Sequence, residues 1–140
     1  MSSTRFRIDV DRGLVIAAGE GIIGTPHLLE AGTAMSNHPN YRPEFDTLWD
    51  FRDARFITEL DEIVQLTERI SQLKIRETEH RVAFIVLHAV TRQLTELFPR
   101  VGPDHPVAYK SFFDDAEALR WLEQPEDLVL WPEDDGSPAS

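Results

Sequence analysis

The chain has 140 residues, of which 41% are hydrophobic, 28% charged and 9% aromatic, a composition suited to a single globular domain that removes roughly 70% of its unfolded surface from water. It has no cysteine, which excludes disulfides, thiolate metal sites and cysteine nucleophiles together and points to a reducing compartment. The net charge of −11 is lopsided, with 15 acids against 12 Lys and Arg in residues 1–100 and 10 against 2 in residues 101–140, a field that disfavours nucleic acid and anionic lipid surfaces as partners.

The N-terminal MSSTRFRIDVDRG lacks the apolar run of a signal peptide, and no apolar stretch approaches the roughly 20 residues of a transmembrane segment. A cytoplasmic protein is therefore expected. Arg5 to Val10 alternates, with Phe6, Ile8 and Val10 on one face and Arg5, Arg7 and Asp9 on the other, as a half-exposed edge strand does. Asp11-Arg12-Gly13 reads as a tight loop with glycine at its left-handed position, and Leu14 to Ala18 returns as the second strand of a hairpin.

Gly19, Gly21 and Gly24 mark a turn, after which Thr25 as N-cap and Pro26 at the first helical position start a helix. Its apolar residues, Leu28, Leu29, Ala31, Ala34 and Met35, are wider than one buried stripe. Asn37 to Pro43 closes the segment, and Thr47 to Phe51 follows as a strand with Leu48, Trp49 and Phe51 for burial on both faces. Thr58 precedes Glu59-Leu60-Asp61 in a start like a capping box, and Leu60, Ile63, Val64, Thr67, Ile70 and Leu73 form the clearest amphipathic helix of the chain.

Arg81 to Leu87 is a near-unbroken apolar run, expected of a central strand covered on both faces. His88 to Arg100 carries Val90, Leu94, Leu97 and Phe98 on a short helix, and Pro106 to Phe112 is the last strand. Asp114, with Glu117 three residues on, caps a final helix that packs through Ala118, Leu119 and Leu122. The expected architecture is α/β: a small mixed sheet of five strands, an antiparallel hairpin followed by parallel βα units with right-handed crossovers, packed with four helices. Residues 1–123 form the domain and 124–140 an acidic, proline-rich tail interrupted by Leu128-Val129-Leu130-Trp131.

The hairpin and helix, the stretch LWDFRDARFITELDEI, the strand RVAFIVL and the closing VAYKSFFDDAEALRWLEQ together resemble the bacterial SpoIIAA-like family, grouped with STAS domains and more distantly with CRAL-TRIO lipid-transfer domains. The resemblance covers about residues 4–123. It implies an architecture more than an activity. STAS proteins that antagonise anti-sigma factors carry a phosphorylatable serine in an Asp-Ser-Ser-Gly turn, whereas the matching turn here reads Phe56-Ile57-Thr58-Glu59-Leu60, with Thr58 its only hydroxyl and no glycine.

Parallel sheets bind ligands at the carboxyl ends of their strands, where helix N-termini converge. That edge is expected to gather Asp50, Arg52, Asp53, Arg55 and Thr58 after the third strand and His88, Thr91 and Arg92 after the fourth. Arg52, Arg55, Thr58, His88 and Arg92 are thus the candidate ligand, anion or partner contacts, with Thr58 the candidate phosphoacceptor. The competing reading makes the charges local ion pairs, Thr58 a plain N-cap and His88 a structural histidine. Metal binding is not expected, because His27, His38, His80, His88 and His105 show no metal-ligand spacing.

No cofactor is expected either: the glycines at 19, 21 and 24 lack the acidic residue that a dinucleotide fold places at its second strand end. The apolar surplus of the first helix and the tail has three readings: self-association as a homodimer, which leads, packing within the chain, or an apolar ligand cavity. The leading functional expectation is a non-enzymatic, cytoplasmic STAS-like interaction or regulatory domain that meets a protein partner. The alternatives are a carrier of an apolar small molecule or lipid, and a small-anion hydrolase using the Arg52, His88 and Arg92 edge.

Overall fold

The computed structural model describes residues 3–56, 65, 80–87 and 107–131. Five strands form one sheet in the order β1-β2-β3-β4-β5: β1 Ser3–Asp9, β2 Leu14–Ile23, β3 Asp46–Phe56, β4 His80–Ile85 and β5 Val107–Phe112. β1 is antiparallel to β2, and every other pair is parallel. The carboxyl ends of β2 to β5 therefore share one edge, and β1 is an edge strand as its alternation predicts.

Helix α1, Thr25–Ser36, and helix α2, Asp115–Trp121, are the two helices among the described residues. The other two expected helices, from Thr58 and from His88, lie outside the described residues, although Gln65 is helical. In the hairpin, Gly13 is left-handed at φ +62° and its N–H donates to the Val10 carbonyl at 3.2 Å. Asp9 ends the ladder opposite Leu14, and its carboxylate accepts from the Arg12 N–H at 3.2 Å.

Alternation sorts the sheet into two faces. Val15, Ala17, Trp49, Phe51, Val82 and Phe84 bury under α1, whose Ala31 and Met35 face them, with Leu28 and Leu29 packed alongside. Leu14, Ile16, Leu48, Ala83, Ile85 and Phe112 bury under α2 through Ala118, Leu119 and Leu122. The run over β4 is unbroken because both of its faces are covered. The apolar breadth of α1 is mostly absorbed by this core, and only Ala34 of that set is exposed.

The glycine-marked turn expected after Ala18 does not form there. β2 continues to Ile23, since a β-carbon on Gly19 would sit 3.2 Å from two ring carbons of Phe51, so the bare backbone gives that ring its seat against the strand. Gly21 takes φ +77°, a conformation open to glycine. The N-cap of α1 is Gly24 rather than Thr25. His27, third in the helix, accepts from the Gly24 N–H through Nδ1 at 3.0 Å, the place a Glu or Gln takes in a capping box. At α2 the cap is the expected one: Asp114 accepts from the Glu117 N–H at 2.8 Å.

Candidate functional site

The stretch from Asp46 extends as strand well past Phe51, to Phe56, because of an irregularity in its pairing with β2. Ala18 faces Asp50 and Glu20 faces Asp53, so β3 takes three steps where β2 takes two. That extra residue is a β-bulge, and it reverses the alternation. Trp49 and Phe51 lie on the α1 side before it and Ala54 lies there after it. Arg52 and Asp53 consequently fall together on the α2 side.

Arg52 is tied to its own strand. Nε donates to one oxygen of Asp50 at 3.0 Å and Nη2 to the other at 2.9 Å, while the backbone N–H of Arg52 gives Asp50 a third bond at 3.0 Å. A bidentate fork of this kind is the strongest ion-pair geometry available to a side chain. The hydrogen bond to Asp50 raises the Arg52 pKa above its ordinary value against the opposing effect of burial, and the carboxylates of Asp50, Asp115 and Asp53 add to the rise. Asp115 opens α2, so Arg52 lies close to the start of that helix.

Arg55 pairs in register with Ile22 and is exposed. Thr58, His88, Thr91 and Arg92 lie outside the described residues. Of the expected set, Arg52 and Arg55 are thus placed on one carboxyl-end segment of β3, the first engaged by Asp50 and the second facing solvent.

Sequence reasoning passed over the apolar part of this edge. Ile22 is 55% exposed, Leu87 54% and Phe113 54%, and they stand at the carboxyl ends of β2, β4 and β5. The signal was one of parity. Leu87 follows the fully buried Val86 and Phe113 follows the buried Phe112, so each apolar run is one residue longer than the strand can bury.

At the opposite edge Asp46 joins three elements. Its N–H donates to the Gly13 carbonyl at 3.1 Å, and its carboxylate accepts from the Arg81 N–H at 2.8 Å. Burial raises the Asp46 pKa, offset in part by that hydrogen bond and by the charges of Arg81 and His80. Arg81 also donates from Nη1 to the Trp121 carbonyl at 2.7 Å and to Glu123 at 3.1 Å. Among the described residues no three or more His, Asp or Glu side chains are grouped to hold a metal ion.

No family model matches the chain, and no curated protein does. Among solved structures it is similar to an uncharacterised protein of the DUF3478 family from Shewanella loihica PV-4, described as having a SpoIIAA-like fold. The TM-score is 0.58 over 87% of this chain and 95% of that one, at 19% identity. The fold is SpoIIAA-like. At that identity the likeness establishes the fold alone. In the SpoIIAA-like sheet of this chain, the carboxyl edge combines a neutralised Arg52–Asp50 pair with three outward apolar side chains. No helix among the described residues is long and apolar enough to cross a membrane.

Proposed function

We infer that this protein is a binding domain that works by contact with a protein partner through the carboxyl edge of its sheet, without catalysis. The observation that carries the reading is the exposure of Ile22, Leu87 and Phe113 along that one edge. Large apolar side chains left exposed along one edge are what a contact surface offers. The state of Arg52 supports the same reading, because a guanidinium already held by a fork has little left for an anionic substrate. The lack of cysteine supports a reducing, cytoplasmic place of work, and the acidic charge supports a partner that is neither nucleic acid nor lipid surface.

The test compares full-length baits captured from the native host: wild type, Leu87→Ser with Phe113→Ser, and Val10→Ser. Val10 is similarly exposed, at 52%, but lies on the hairpin at the other edge. A partner retained by wild type and Val10→Ser and lost by the double variant is the expected result. A partner lost equally by both variants would refute the assignment to this edge. Native mass spectrometry of freshly purified protein provides the second arm, where a co-purifying mass of a few hundred daltons would favour the carrier reading instead.

A further inference from the structure

The carboxyl edge is apolar at its tips and acidic around them. Phe113 leads directly into Asp114 and Asp115, and Asp114 is exposed while one of its oxygens caps α2. Asp53 is exposed on the neighbouring branch. The carboxylates of Asp50, Asp53 and Asp115 all act on the Arg52 guanidinium, yet both bonds of its fork go to Asp50. One positive charge therefore stands among three carboxylates, with Asp114 a fourth next in sequence to Asp115.

Arg5, Arg7 and Lys110 are occupied elsewhere. Arg7 donates to the Leu130 carbonyl at 2.6 Å and to the Val129 carbonyl at 3.2 Å, the Arg5 guanidinium lies 4.1 Å from the Trp131 ring centre, and the Lys110 ammonium lies 5.5 Å from the Phe112 ring centre. Arg55 stands on the other branch, opposite Ile22. The sequences that continue from the two branches add no basic surplus: residues 57–79 hold six acids against three Lys and Arg, and residues 88–106 hold two against two.

We propose, resting on the contact edge inferred above, that the Leu87 and Phe113 branch takes a cationic, apolar segment of a partner protein. Its apolar side chains would cover Leu87 and Phe113, and its Lys or Arg would meet Asp53, Asp114 and Asp115. Charge complementarity decides the sign, because an acidic segment brought to the same tips would set like charges side by side. Lys and Arg suit both parts of the surface, since their methylene stems cover apolar groups while their heads reach carboxylates. Exposed rim charges of this kind act chiefly on the rate of association and on the choice of partner.

Selection of short random peptides displayed against the immobilised full-length protein tests the partner chemistry. Peptides retained by wild type and lost by Leu87→Ser with Phe113→Ser are expected to be enriched in Lys and Arg beside Leu, Ile, Phe or Trp. A synthetic copy of one such peptide should bind the triple variant Asp53→Asn, Asp114→Asn, Asp115→Asn on the order of 3–10-fold more weakly than wild type at low ionic strength. That difference should vanish toward 1 M salt, where the screening length is about 3 Å. Asparagine at 114 keeps the helix cap, so the variant changes charge while preserving the fold. Edge-bound peptides without basic enrichment, or an affinity unmoved by the triple variant, would overturn the cationic partner and leave the contact edge standing. If the serine variant loses none of the selected peptides, the contact edge itself is wrong and the cationic partner falls with it.

Discussion

Asp46 offers a test in which two substitutions at one position separate the cost of a charge from the worth of a hydrogen bond. Its carboxylate is half-buried, accepts from the Arg81 N–H at 2.8 Å, and has its pKa raised because burial outweighs the help of Arg81 and His80. Asparagine keeps the acceptor and discards the charge. Asp46→Asn is therefore expected to match wild type at neutral pH or exceed it by up to about 1 kcal/mol, a figure kept low because the group is only half-buried. Asp46→Ala leaves the Arg81 N–H without its acceptor, at a cost of about 1–3 kcal/mol, which lowers Tm by roughly 3–10 °C for a chain of this size.

The pH dependence has a definite sign. The folded carboxyl holds its proton more tightly than the unfolded one, whose ordinary pKa is 3.8. Between that value and the raised folded value the native state binds more protons than the unfolded chain, so the stability contributed by Asp46 falls as pH rises through the window and is level above it. Asparagine has no proton to exchange. Thermal unfolding followed by circular dichroism from acid to neutral pH should show the Asn variant gaining on wild type from about pH 3.8 upward and then running parallel. If the Asn variant instead loses ground as pH rises, or falls as far as Ala at neutral pH, the carboxylate is a net stabilising partner of Arg81 and the argument from burial is wrong.

Three further outcomes follow from the packing. Gly19→Ala brings a β-carbon to 3.2 Å from the Phe51 ring and 3.3 Å from Ile23; both neighbours are core residues, so a loss of about 1–3 kcal/mol in urea unfolding is expected. Asp114→Ala removes the bond to the Glu117 N–H and should cost about 1 kcal/mol, with Asp114→Asn recovering most of it. Arg52→Ala abandons a partly buried Asp50 and should cost about 1 kcal/mol, whereas Arg55→Ala, at an exposed position, should stay within about 0.5 kcal/mol of wild type; equal effects at the two arginines would contradict the fork as drawn.

The strands were legible because alternation and apolar runs follow directly from burial on one or two faces. Phe6 and Ile8 of β1 pack on the core as their period predicts, and the five-strand order with its antiparallel opening came out as read. The ends of β2 and β3 were not legible. Glycines at 19 and 21 look like a turn when only the chain is seen, because the Phe51 ring that requires the first of them is more than thirty positions away. Arg52, Asp53 and Arg55 look like the close of a strand because a bulge breaks the period on which strand recognition relies.

The destination of the last segment was hidden in a similar way. Leu128, Leu130 and Trp131 announce an apolar patch, but the surface they cover is marked by Arg5 and Arg7, which alternation assigns to solvent. Long cationic side chains can cover apolar groups with their stems and hold carbonyls or an aromatic ring with their heads. Nothing in the spacing of β1 distinguishes that use from plain solvation.

The pairing pattern also explains how one edge comes to hold both a locked ion pair and open apolar groups. β3 and β4 part after Asp50 and Ile85. Beyond that point β3 stays with β2 as far as Phe56 opposite Ile23, while the Val86 N–H donates to the Phe112 carbonyl at 2.9 Å and keeps β4 with β5. The sheet thus forks toward its carboxyl edge. The bulged branch carries Arg52 and Asp53 on one side and closes the Arg52 guanidinium on Asp50, within the field of Asp115 at the start of α2. The other branch ends in two apolar residues, Leu87 and Phe113, each more than half exposed. A partner meeting this edge would find the Arg52 charge already paired with Asp50, so association at Leu87 and Phe113 could draw on apolar area without first stripping water from that guanidinium, whereas contact at Ile22 would also meet the exposed Arg55 opposite it.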